Sequence, residues 1–92
     1  MSLSLEEYRI KLVNHILYAK SQEEVGRFIG AAIKALEQNR VHTHTISGFV
    51  DKMISELDEF NPMNKEAQHW SNIKIARILF NRIKNKLNYP VD

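Results

Sequence analysis

The sequence predicts an all-α fold, a single-domain antiparallel bundle of about four helices, and three observations predict it. Apolar residues recur at three- and four-residue spacing through four segments, capping pairs stand at segment starts, and turn-forming residues are scarce. With three glycines and two prolines in 92 residues, the chain carries too little turn punctuation for a β protein. This length supplies one hydrophobic core, so residues 1–92 are read as one domain. No internal repeat or low-complexity tract divides them.

The first helix is predicted over 5–19. Ser4 followed by Glu7 forms a capping box, in which each side chain can satisfy a free backbone N–H of the first turn. Leu5, Tyr8, Leu12, Ile16 and Ala19 make one stripe, and Ile10, Val13 and Leu17 make a second beside it. The combined arc is broad enough to meet two neighbours or a second subunit.

Ser21 with Glu24 repeats the box and opens a second helix over 22–39. Its apolar face is narrow and clean: Val25, Phe28, Ile29, Ala32, Ile33 and Leu36. Running the first two segments together would turn one of the two faces into water, so the chain breaks at Lys20–Ser21. Gly26 and Gly30, followed by Ala31 and Ala32, have the small-residue spacing that permits close helix approach.

The polar, β-branched stretch from Arg40 to Thr45 reads as a loop, and Thr45 or Thr43 is the expected cap of a third helix over 46–60. Ile46, Phe49, Val50, Met53, Ile54, Leu57 and Phe60 form its buried face. Asn61-Pro62 then supplies a cap and a first-turn proline for a last helix over 63–88. Met63, Ala67 and Trp70 share one face of that helix, whereas Ile73, Ala76, Leu79, Phe80, Ile83 and Leu87 share another. Out-of-phase faces imply either a bend or break near residue 71, or different neighbours along its length.

Composition removes several classes of function. The absence of cysteine excludes disulfides, zinc thiolate sites and cysteine nucleophiles, and it suits a cytoplasmic, reducing location. No apolar run approaches the ~18 residues of a membrane span, so no membrane association is expected. The N-terminal residues show neither the basic nor the apolar region of an export signal.

The four histidines, His15, His42, His44 and His69, fall at opposite ends of the predicted bundle and form at most two pairs, so no metal or other cofactor is expected. Glu66 and His69 have the Glu-x-x-His spacing of carboxylate-bridged metal bundles, but none of the other three histidines has a glutamate three residues upstream. Trp70, Tyr8, Tyr18 and Tyr89 read as anchors at the core edge. With no nucleophile elbow and no phosphate loop, catalysis is not favoured and no catalytic residue is assigned.

Charge is distributed unevenly. Residues 1–60 hold seven Lys/Arg against nine Asp/Glu, whereas 61–92 hold six against two. The last helix therefore carries the candidate binding residues: Lys74, Arg77, Asn81 and Lys84 as a polar, basic face, with Ile75 and Ile78 as apolar positions outside its main stripe. The favoured reading is a protein-interaction or regulatory module, engaging another protein or a second copy as a homodimer. Nucleic-acid binding through the basic helix is the alternative, and a metal-dependent enzyme the least favoured. A helix-turn-helix reading of the third helix fails on charge, since Asp51, Glu56, Asp58 and Glu59 would meet phosphates.

Overall fold

The computed structural model describes residues 4–60 and 67–88. It contains four helices: α1 (Leu5–Leu17), α2 (Gln22–Gln38), α3 (Thr43–Asp58) and α4 (Ala67–Asn88). Among the described residues there is no strand. The expected Asn61-Pro62 cap, the helical start at Met63, Glu66 and Tyr89 lie outside the described residues.

Both serine caps form as the sequence indicates. Ser4 Oγ accepts from the Glu7 backbone N–H at 3.1 Å, and Ser21 Oγ from that of Glu24 at 3.1 Å. The Glu24 carboxylate reaches back to the backbone N–H of Lys20, so the break between α1 and α2 is held from the α2 side. The two serine contacts satisfy donors that the first helical turn leaves free, but the reciprocal half of each box differs from expectation: Glu7 accepts from the Ser4 hydroxyl, and Glu24 from the N–H one residue before the cap.

The entry to α3 differs from expectation. The helix begins at Thr43 rather than near Ile46, and neither threonine caps it. His42 is the N-cap, its Nδ1 accepting from the His44 backbone N–H at 3.2 Å. The connection from α2 is shortened by a tight reversal at Arg40, whose φ of 60° lies in the left-handed region. Around it the Arg40 N–H donates to the Glu37 carbonyl and the Val41 N–H to that of Leu36, the paired bonds of a Schellman motif. Glycine usually occupies this position; here an arginine does.

Side-chain contacts fix the helix directions. Arg77 pairs with Asp58 and Lys84 with Asp51, so α4 descends as α3 rises. His15 lies edge-on to Phe28, with ring centroids 5.1 Å apart, and Tyr8 tilts against Phe49 at 6.1 Å. Arg9 reaches Glu56 across α1 and α3. The result is an up-down-up-down arrangement in which α4 packs against all three other helices.

The core is one contiguous apolar cluster drawn from every helix, with Ile16, Val25, Val50, Met53, Leu57, Ile73, Ala76 and Phe80 fully buried. Phe28 and Ile33 flank the buried line of α2 and are half-buried against it. The broad arc of α1 is only partly used: Ile10 remains 49% exposed. The glycine pair of α2 does not serve close packing. A Cβ on Gly26 would meet Leu79 at an ordinary 4.0 Å, and one on Gly30 would meet nothing.

Helix α4 runs unbroken through residue 71, which resolves the phase conflict in favour of changing neighbours. Its first turns meet the end of α1, where His69 packs edge-on to Tyr18 at 5.2 Å, and its later turns meet α2 and α3. Asn72 stands in the buried stripe between these regions, completely shielded from solvent. Its Nδ2 donates to the carbonyls of Ala19 at 2.8 Å and Leu17 at 3.3 Å, while its Oδ1 accepts from Gln68 Nε2 at 3.0 Å. Carbonyls that the end of α1 leaves without helical partners thus find them on α4.

Candidate functional site

The six residues singled out on the last helix separate into two groups in space. Arg77 and Lys84 turn toward α3, with Arg77 Nε 2.7 Å from an Asp58 oxygen and Lys84 Nζ 2.6 Å from one of Asp51. Asn81 donates its amide to the Arg77 backbone carbonyl at 2.8 Å. These two cations are neutralised within the fold, and their carboxylate partners make that side of α4 unattractive to phosphate. The matched seven-residue intervals, 51 to 58 and 77 to 84, are the sequence signal for this pairing.

Lys74, Ile75 and Ile78 face the other way, toward the start of α2. With Trp70 and Ser71 of α4 and Gln22 of α2 they line an open groove of about 330 Å³. Ile78 is 48% exposed, a large apolar side chain kept in water at the centre of this face. Ile75 and Trp70 are half-buried beside it, each with one side packed on the core. Lys74 stands one helical turn before Ile78 and Arg82 one turn after, with Lys86 a turn further on. All three cations are exposed and none has an ion-pair partner among the described residues. Arg82 and Lys86 lie outside the six singled-out residues, and their spacing of four and eight from Ile78 is the sequence signal that groups them with it.

Two other grooves hold side chains already engaged within the fold. Between α1 and α3, Leu5 and Phe49 border a space of about 330 Å³; of its two cations Arg9 is bound to Glu56 and Glu6, and Lys52 has no ion-pair partner among the described residues. Between α1 and α2, Tyr8, Leu12 and Ala32 border one of about 400 Å³, where His15 and Phe28 pack on each other.

Among the described residues, no three of the histidine and acidic side chains converge as metal ligands would. His42 caps α3, and His15 and His69 pack against aromatic rings. No helix among the described residues is long and apolar enough to cross a membrane. Comparison with known proteins finds no matching family model, no matching curated protein and no matching solved structure.

Proposed function

We propose that this chain is a protein-interaction module whose docking face is the outer side of α4 and the groove it forms with α2. One observation carries the reading: Ile78, 48% exposed, stands between two cations that have no ion-pair partner among the described residues. An exposed apolar residue alone is commonplace. An apolar centre rimmed by unspent charge is the usual anatomy of a recognition patch. A cytoplasmic setting belongs to the same proposal and rests on the cysteine-free sequence. The nucleic-acid alternative loses support because Arg77 and Lys84, half of its basic face, point at carboxylates.

Site-specific photocrosslinking tests this reading. A photoreactive residue at position 78 should capture a discrete protein in the source cell, and the same group at Lys34, exposed on α2, should not. The captured protein, identified and purified, should bind the wild-type chain and lose roughly tenfold or more in affinity to Ile78→Asp, as befits a central contact. Identical adducts from both positions, or an Ile78→Asp variant with unchanged affinity, would remove the reading.

A further inference from the structure

We infer that the occupant of this face is an acidic amphipathic helix of another protein, not a second copy of this chain; the inference rests on the reading above and names the partner's chemistry. Complementarity sets the requirement. An apolar side chain of the partner would cover Ile78 and Ile75, and carboxylates flanking it by one turn would meet Lys74 and Arg82. The groove between Trp70, Ser71 and Gln22 runs alongside, giving the partner helix a channel rather than a flat wall.

Self-pairing fails on the same geometry. Two α4 helices meeting antiparallel at Ile78 would set Lys74 of one copy against Arg82 of the other. A parallel meeting would set each cation against its own equivalent. Like charges lie opposite in both arrangements, and the cost falls on the rim that should steer association. Nor does another face among the described residues offer an acidic stripe: Glu6 and Glu7 are adjacent in the first turn of α1, and Glu59 stands at the end of α3. Asp51 and Asp58, the one pair of acids a helical heptad apart on α3, already bind Lys84 and Arg77. Glu23 and Glu37 are exposed but lie at opposite ends of α2.

The test uses designed peptides and backbone-amide NMR on the whole chain. One peptide of about 16 residues carries a leucine stripe at helical spacing flanked by glutamates. A second replaces those glutamates with lysines, and a single-stranded DNA of about 20 nucleotides supplies the phosphate comparison. The acidic peptide should move the signals of Lys74, Ile75, Ile78 and Arg82, bind about tenfold or more tightly than the basic one, and weaken as salt rises. The double variant Lys74→Glu/Arg82→Glu should invert that preference; both side chains are exposed, so the fold persists and thermal unfolding verifies it.

Equal binding of the two peptides, shifts at other residues, or no shifts at all would overturn the inference. So would DNA that moves these same signals more strongly than the acidic peptide, or a concentration-dependent dimer in sedimentation that Ile78→Asp dissolves. Failure here, with a crosslinked partner at position 78 still lost to Ile78→Asp, discards the acidic helix and keeps the docking face.

Discussion

Asn72 of α4 donates its side-chain amide to the carbonyl of Ala19, tying the second turn of the last helix to the end of the first across more than fifty residues of chain. The same amide reaches Leu17, and Gln68 holds its oxygen, so a fully buried polar group has partners at both ends. A buried amide costs several kcal/mol only when unpaired; removing it instead strands the carbonyls it served. Asn72→Leu, similar in size, should therefore lose about 1–3 kcal/mol and lower the melting temperature by roughly 5–20 °C. Asn72→Asp should lose more, because a carboxylate would face two carbonyl oxygens. Circular dichroism melts provide the check, and an Asn72→Leu variant as stable as wild type would show that the link contributes nothing.

The left-handed backbone at Arg40 makes a second prediction, of opposite sign. A non-glycine residue at φ 60° carries a steric cost from its Cβ, yet the Schellman bonds around it satisfy the end of α2. Arg40 is exposed and has no ion pair among the described residues, so replacing its side chain sacrifices little. Arg40→Gly should raise stability by about 0.5–1 kcal/mol, visible as a higher urea midpoint with an unchanged slope. A lower midpoint would mean that the arginine stem shields the helix end.

These two residues also show where the sequence was readable. Ser4 and Ser21 could be recognised because capping is local: a serine three residues before a glutamate carries its own explanation. Arg40 and His42 could not, since a left-handed arginine and a histidine cap depart from the residues usually found at those positions. Asn72 misled in a different way. It is a polar residue in the buried stripe, while Ala67 and Trp70, which read as a face out of phase with Ile73, are exposed and half-buried on one continuous helix. On the candidate face, Ile75 and Ile78 were legible because they fall off the main apolar stripe. The commitment of Arg77 and Lys84 to α3 was not, because it depends on how two helices register after packing.

Two glycines stand in exposed helix interiors without a packing reason. A Cβ added to Gly30 or to Gly48 would meet no atom within 4 Å, and no glycine in the described residues has positive φ. Glycine then costs entropy in the unfolded chain and gives nothing back in the fold. Gly30→Ala and Gly48→Ala should each stabilise by about 0.5–1 kcal/mol, and the pair should add, as the sites are on separate helices. Denaturant unfolding of the single and double variants measures this; a destabilised Gly48→Ala would show that α1 needs the space beside it.

The cross-helix ion pairs should rank by burial rather than by distance. Arg77–Asp58 and Lys84–Asp51 have short contacts but side chains 39–49% exposed, whereas Arg9 and Glu56 retain 17% and 31%. Water screens the first two, so double-mutant cycles should return about 0.2–1 kcal/mol for each, fading toward the low end at about 1 M salt. The Arg9–Glu56 pair is better shielded and should couple more strongly, at about 1–2 kcal/mol, with a weaker response to salt. The same variants bear on binding. Asp51→Asn with Asp58→Asn leaves Lys84 and Arg77 without counter-charges and turns α4 into a broader cation surface. Affinity for single-stranded DNA should then rise above that of the wild-type chain at low salt. If it does not, the carboxylates of α3 are not what keeps phosphates from this helix.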